Sequence, residues 1–307
     1  MESPAATELR CSQSSLAAGE HLYATAPRTE FWILIEYHDT IGAKALKDSS
    51  LPEPVISHLS QLQKTISHSR LLLIKKINRS PRKKLSAFVC FSAENPPHLY
   101  RMDFHNYDEL LAIDFPGIFS GSTGEKFEPI QDKLYLVCTN GKRDRCCALW
   151  GGAVFKTASN YVGGSVWQSS HVGGHRFAAN MICLPHGIYY GRVRPESVTG
   201  IIDGYRDQLI DLEHLRGRAC YPPEAQAAEY YLLRESPQPR LDAYRLDEIR
   251  TISETVRDVQ FLSNLDGTRY SIQIRIEPSD REIFESCSKP DVLTRPLRYL
   301  LEGWNMP

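Results

Sequence analysis

Charge of one sign is what this chain most plainly lacks. Its 307 residues carry 36 lysines and arginines against 37 aspartates and glutamates, a formal net charge of −1. That balance gives no global field to draw in nucleic acid or an anionic membrane surface, so neither is expected as a partner. No apolar run approaches the roughly 20 residues that a membrane-spanning helix requires. The N-terminus offers neither a secretory signal nor an acylation motif. There is no Cys-x-x-Cys, which removes support for a thiol–disulfide oxidoreductase. No Gly-x-Gly-x-x-Gly follows a strand, so nicotinamide or flavin binding is not indicated. Gly121-Ser-Thr-Gly-Glu-Lys126 lacks the Gly-Lys-Ser/Thr ending of a phosphate loop and reads as a linker. Glycoside cleavage needs two carboxylates at a defined separation, and none of the acidic residues forms a recognisable pair by position.

What is present begins with a 42% hydrophobic content, enough at this length for a large core and two or three domains. Eight cysteines without a secretory segment point to a reducing interior, the cytoplasm, where thiols stay available as ligands. Cys138 and Cys147 are followed by His171 and His175 in the run Ser170-His-Val-Gly-Gly-His-Arg176. Two thiolates and two imidazoles suffice to hold a metal centre. Eight residues separate the cysteines, whereas structural zinc sites usually use a knuckle of two to four. Iron–sulfur clusters are gripped by loops of varied length and accept histidine in place of cysteine. Gly173 and Gly174 allow a tight turn between the histidines and argue against a plain helical His-x-x-x-His zinc face. Zinc and an iron–sulfur cluster both remain open on these residues alone.

The surrounding residues carry a resemblance. Cys138-Thr-Asn-Gly-Lys-Arg-Asp-Arg-Cys-Cys147, Val166-Trp-Gln-Ser-Ser-His-Val-Gly-Gly-His-Arg-Phe-Ala-Ala-Asn180 and Leu184-Pro-His-Gly-Ile-Tyr-Tyr-Gly-Arg-Val193 together resemble the sucrase/ferredoxin-like family. The resemblance covers roughly residues 11 to 215. It implies a thioredoxin-like ferredoxin unit with a [2Fe-2S] cluster on two cysteines and two histidines, which map onto Cys138, Cys147, His171 and His175. The family's wider spacing selects Cys147 over the adjacent Cys146. Cys146, Cys90 and Cys183 then read as small buried hydrophobes.

The expected fold class is α/β, with tandem thioredoxin-like domains and a small C-terminal α+β appendage. Residues 1–127 are expected to form a degenerate, ligand-free copy. Residues 128–215 form the cluster-bearing unit, and 216–307 the appendage. The first copy reads as a strand at 31–37, a helix opened by Pro54, strands at 71–74, 85–91 and 99–104, and a short helix at 107–113. The second reads as a strand at 134–138, a helix from about 147 to 160, a strand at 166–168, hairpin strands at 178–184 and 188–193, and a helix opened by Pro195. In the appendage, a helix after Pro222 and Pro223 precedes strands at 256–262 and 270–276 around Asn264-Leu-Asp-Gly267.

An oxidised [2Fe-2S] core with two thiolates and two neutral imidazoles is formally uncharged, so it accepts an electron more readily than an all-cysteine cluster. The expected function is electron transfer, with proton uptake linked to reduction through accessible outer imidazole nitrogens. A separate protein would serve as reductase or acceptor. The other reading is a zinc-stabilised binding module without redox activity. Lys142, Arg143, Arg145 and Arg176 adjoin the ligands and could favour the reduced form or dock an acidic partner. An ion pair of Arg143 with Asp144 is a further expectation. Lys75, Lys76, Arg79, Arg82, Lys83 and Lys84 read as a solvated hairpin loop.

Overall fold

Phe31–Glu36 (β1) is apolar almost throughout because it is buried on both faces: Ile33 and Ile35 enter one cluster, Trp32 and Leu34 another. The computed structural model describes residues 10–76, 84–93, 96–120 and 127–305. A short helix, α1 (Cys11–Ala17), precedes β1 and was not anticipated. After β1 come α2 (Glu53–Thr65), β2 (Ser69–Lys75), β3 (Leu85–Phe91) and β4 (His98–Phe104). Pro54 sits in the first turn of α2, where its missing N–H costs nothing, and Val55, Leu59 and Leu62 face the core. β1 runs parallel to β2 and antiparallel to β3, which pairs antiparallel with β4, so the order is β2-β1-β3-β4. The expected helix at 107–113 is a 3₁₀ helix over Tyr107–Ala112, capped by Asn106, with α3 (Phe115–Phe119) behind it. A two-residue strand, β5 (Glu128–Pro129), pairs with β4.

The second stretch repeats the plan with β6 (Leu134–Cys138), α4 (Arg145–Val162), β7 (Val166–Ser169), β8 (Met181–Leu184), β9 (Ile188–Tyr190) and α5 (Val198–Arg206). Its order, β7-β6-β8-β9, has the same parallel and antiparallel relations as the first half. Both halves therefore have the thioredoxin-like arrangement, and no cysteine occurs from β1 through α2, whereas the second half carries Cys138 at the end of β6 and Cys146 and Cys147 in the first turn of α4. α5 starts at Val198 rather than Pro195 because the Ser197 hydroxyl accepts from the Arg194 amide at 3.1 Å and closes a separate turn first. β10 (Leu215–Arg218) runs past residue 215 and pairs with β9, so it belongs to the main sheet.

The halves join edge to edge. β2 pairs antiparallel with β7 through Ile74 with Ser169 and Lys75 with Gln168, which makes one ten-stranded sheet. A shared cluster of Trp32, Leu34, Leu72, Ile74 and Phe88 with Leu136, Trp167, Ile182 and Tyr189 spans the seam. Lys76, expected in a solvated loop, donates to Gly164 O at 2.8 Å and lies 4.3 Å over the Trp167 ring, because the seam brings its aromatic partner alongside. Lys75 closes β2 and Lys84 is exposed. Arg79, Arg82 and Lys83, like Gly121–Lys126, lie outside the described residues.

The appendage is α+β. α6 (Pro223–Glu235) lays Ala225, Ala228 and Leu232 against Val259, Phe261, Ile272 and Ile274 of a four-stranded antiparallel sheet. That sheet contains β11 (Tyr244–Thr251), β12 (Val256–Ser263) and β13 (Arg269–Pro278). A small ribbon, β14 (Ile283–Phe284) with β15 (Leu293–Thr294), precedes the last strand, β16 (Leu297–Asn305), which pairs with β13. A buried ion pair, Arg218 Nη2 to Glu229 Oε1 at 2.7 Å, fastens α6 to β10.

Candidate metal centre

Cys138 ends β6, and period-two alternation puts it on the face of Leu134 and Leu136. Cys147 lies in the first turn of α4, whose N-cap, Asp144, accepts from the Cys146 amide at 2.9 Å. Gly151 lets α4 lie directly against the Cys138 carbonyl. Both thiols are completely buried. His171 follows β7, and its Nδ1 stands 3.9 Å from Cys138 Sγ and 3.8 Å from Cys147 Sγ. The three donor atoms lie within 4.8 Å of one another. The His175 ring is 5.1 Å from that of His171, so His175 stands beside this group, while its ligand atoms do not join the three that lie within 4.8 Å of one another.

The segment between the histidines is pinned at every carbonyl. Arg70 Nη1, from the first half, donates to Val172 O at 2.8 Å, and Arg216 Nη1 to Gly173 O at 3.0 Å. Asn180 Nδ2 donates to Gly174 O at 2.9 Å. Gly173 and Gly174 have φ of +92° and +68°, the left-handed turn that their sequence implies. Arg216 is buried and also donates to Thr25 O and Asn180 Oδ1, so a fixed cation backs the histidine turn.

The electrostatics divide the donors. Hydrogen bonding from Cys147 holds the Cys138 thiol well below its ordinary range against the opposing cost of burial, and His171 adds to the effect. Cys147, keeping the shared proton, is pushed up. Burial pushes the His175 imidazole down, with Asp144 opposing, so the ring stays in the neutral form that binds metals. Its Nδ1 is buried without a partner, while Nε2 lies 3.8 Å from Asp144 Oδ2. Burial raises Asp144, yet the amides of Cys146 and Cys287 and the nearby His175 together hold its carboxyl below the usual range. The outer nitrogen of His175 is thus turned to a buried carboxylate rather than to solvent.

Other expectations need correction. Asp144 does not form the expected pair with Arg143 among the described residues; its oxygens go to the Cys146 and Cys287 amides at 2.9 and 2.8 Å. Arg176 turns away to Glu20 and Glu285, at 2.8 and 3.2 Å. Lys142 and Arg145 line a cavity of about 820 Å³ with Arg10 and Lys75, beside Thr139 and Ser169. Cys90 and Cys183 are the buried thiols expected. Cys146 is buried as expected, in an apolar cluster with Ala178, Phe284 and Trp150, and its thiol also meets those of Cys11 and Cys287. Nothing local in the sequence marks Cys11, Cys287, Arg70 or Arg216, because each reaches the site from a distant segment.

A thioredoxin-like unit with two thiols, on β6 and α4, and two imidazoles after β7 is the setting in which the comparisons fall. The chain belongs to the sucrase/ferredoxin-like family, whose model matches residues 22–217. A relative from Meyerozyma guilliermondii, named altered inheritance of mitochondria protein 32, is 35% identical over 143 residues, covering 42% of this chain and 48% of its own. The Debaryomyces hansenii protein of the same name is 38% identical over 88 residues, covering 25% of this chain and 32% of its own. The chain thus spans less than half the length of these curated relatives. Among solved structures, the Cys55Ser and Cys59Ser variants of a thioredoxin-like [2Fe-2S] ferredoxin from Aquifex aeolicus match at 15% and 17% identity. Each covers 28% of this chain and all of its own, with a TM-score of 0.26. Among the described residues, no helix is long and apolar enough to cross a membrane.

Proposed function

We propose that this chain is an electron carrier whose [2Fe-2S] cluster is held by Cys138, Cys147, His171 and His175. The observation that carries this reading is the partnerless, buried Nδ1 of His175. An unpaired buried acceptor costs about 1–3 kcal/mol, and a metal bond removes that cost. The donor set fits: two buried thiols, one already inclined to ionise, and two imidazoles, one of them kept neutral by burial. When bound, the cluster supplies a one-electron couple at a potential raised by its histidine ligands. The chain's own residues bury the thiols, fix the histidine turn through Arg70, Arg216 and Asn180, and keep water from the Cys138 side. In this reading residues 1–127 supply no cluster ligand, 128–215 are the cluster-bearing unit, and 216–307 are an appendage whose first residues complete β10. Electrons pass to or from a separate reductase or acceptor protein, and the cationic cavity beside the ligands suits an acidic one. All eight cysteines are free thiols, consistent with work in a reducing compartment such as the cytoplasm.

Anaerobic purification with metal analysis and electron paramagnetic resonance tests this reading. The expected result is about two irons and two acid-labile sulfides per chain. Cys138→Ser or Cys147→Ser abolishes the visible spectrum, whereas Cys146→Ser preserves it. Stoichiometric zinc without iron or sulfide would falsify the proposal.

One observation favours the second reading, a zinc-stabilised binding module. Zinc bonds of about 2.3 Å to sulfur and about 2.0 Å to nitrogen set tetrahedral donors about 3.5–3.8 Å apart. The His171 Nδ1 separations of 3.8 and 3.9 Å from the two thiols are close to that, whereas a binuclear cluster spreads its ligands over two irons. A colourless protein with bound zinc is the outcome it requires.

A further inference from the structure

A second group of donors lies on the other side of Asp144. Cys11 opens α1, Cys146 sits in the first turn of α4, and Cys287 follows β14. Their sulfurs form a nearly equilateral triangle: Cys11 to Cys146 is 3.5 Å, Cys146 to Cys287 is 3.5 Å, and Cys287 to Cys11 is 3.4 Å. Asp144 Oδ1 is 3.6 Å from Cys11 Sγ, and all four donor atoms lie within 4.8 Å of one another. A disulfide would draw two sulfurs to about 2.05 Å and leave the third outside, so equal sides do not suit it. Three thiolates around one tetrahedral ion stand about 3.8 Å apart, which nearly matches the observed triangle.

The surroundings suit thiolates. The Cys11 amide donates to Cys287 Sγ at 3.4 Å. Ser12 Oγ accepts from the Trp150 indole at 3.3 Å and from the Cys146 thiol, also at 3.3 Å, so it holds that sulfur in place. Asp144 can coordinate without giving up the Cys146 amide, since a carboxylate oxygen has two lone pairs. Cys11, Cys146 and Asp144 are buried, while Cys287 is half-buried and lines the cavity, so the group reaches solvent at that sulfur.

We propose that Cys11, Cys146 and Cys287, with the Asp144 carboxylate as fourth ligand, bind one structural zinc ion. Each thiol binds the ion as its thiolate, so uptake is accompanied by release of protons. Zinc is the fitting metal because it takes sulfur and oxygen donors tetrahedrally and adds no redox chemistry of its own. The ion clamps α1 and the segment after β14 onto the start of α4, one residue from Cys147. This inference stands whichever centre the Cys138 and Cys147 pair holds.

The test is metal analysis of the full chain, prepared anaerobically under reducing conditions, with variants on both sides of Asp144. Wild type is expected to hold one zinc that Cys11→Ser and Cys287→Ser lose while keeping their iron, and Cys138→Ser to lose iron while keeping the zinc. If the first site itself holds zinc, wild type contains two and each variant set removes one. Zinc that survives both Cys11→Ser and Cys287→Ser and vanishes in Cys138→Ser overturns the assignment. So does a reduced wild type that holds no zinc and, given Co(II), shows no thiolate-to-cobalt absorption. Should the variants fail to fold, wild type decides: a zinc chelator is expected to open Cys11, Cys146 and Cys287 to alkylation, and equal labelling before and after chelation refutes the site.

Discussion

Nε2 of His175 stands 3.8 Å from Oδ2 of Asp144, the same carboxylate that caps α4 through the Cys146 amide. One residue thereby aligns a histidine and starts the helix that carries Cys147. Asp144→Asn retains a good N-cap but removes the charge. In the metal-free chain the expected loss of fold stability is only about 1 kcal/mol. The midpoint potential of the centre is expected to rise, because a negative charge that disfavours the added electron is gone. Redox titration of the variant checks this, and an unchanged potential would show that the carboxylate does not act on the centre.

Gly174 and Gly200 are expected to respond oppositely to alanine. At Gly174, φ is +68° and an added Cβ would come 2.5 Å from Arg216 Nη2 and 2.8 Å from its Cζ. Left-handed strain of about 1–2 kcal/mol adds to displacement of the guanidinium that holds the histidine turn. Gly174→Ala should therefore destabilise by about 3 kcal/mol or more and lower the metal content. Gly200 lies inside α5 with nothing within 4 Å of its added Cβ, so Gly200→Ala should stabilise by about 0.5–1 kcal/mol. Denaturant titration of the two variants gives the contrast.

The buried His186 makes stability depend on pH. Burial pushes its imidazole down to about 3, with Arg218 and Lys133 adding to the effect. Its folded pKa is below the unfolded value of about 6.5, so the unfolded chain binds the proton first. The neutral ring's contribution is complete above about pH 6.5 and is lost as pH falls toward 3, at up to about 1.4 kcal/mol per pH unit. Carboxylates titrate in part of that range, so the measurement is the difference between wild type and His186→Gln from pH 7 to 4.5. Parallel stability curves would remove His186 as the cause.

The cationic cavity gives a kinetic prediction. Arg10, Lys75, Lys142 and Arg145 line it beside the ligand-bearing elements. Lys142→Glu should slow electron transfer to a small anionic oxidant by roughly threefold to tenfold at low salt, and added salt should shrink the difference. A cationic cobalt complex should show the reverse trend. Stopped-flow rates independent of both charge and salt would mean that electrons leave by another face.

Local signals carried much of this fold. The runs at Phe31–Glu36, Leu134–Cys138 and Leu85–Phe91 announce strands because burial on both faces makes them continuously apolar, and prolines mark the starts of α2 and α6. The four candidate ligands were legible for a similar reason: they lie in two short segments that the thioredoxin-like plan closes onto each other. What escaped depends on long-range packing. Cys11 and Cys287 are 276 residues apart, and no local pattern says that α1 and the chain after β14 converge on α4. Cys146 and Cys147 are neighbours in sequence, yet about 100° of helix separates their side chains, so they join different groups. Arg70 reaches Val172 only because β2 pairs with β7, a junction between halves that neither half encodes by itself.

That junction also disposes of two open strand edges, the backbone templates through which sheets recruit other chains. β2 and β7 each end a four-strand unit, and pairing them leaves the large sheet with outer strands β5 and β10 alone. β5 is two residues long and ends in Pro129, which has no N–H to offer. Alongside β10, the amides of Thr25 and Thr29 donate to Arg216 O and Ala219 O at 3.1 and 2.7 Å, so that flank is already occupied. The half that carries none of the four candidate cluster ligands thus has a use in the sheet itself: it seals the half that carries them against strand exchange with neighbouring molecules.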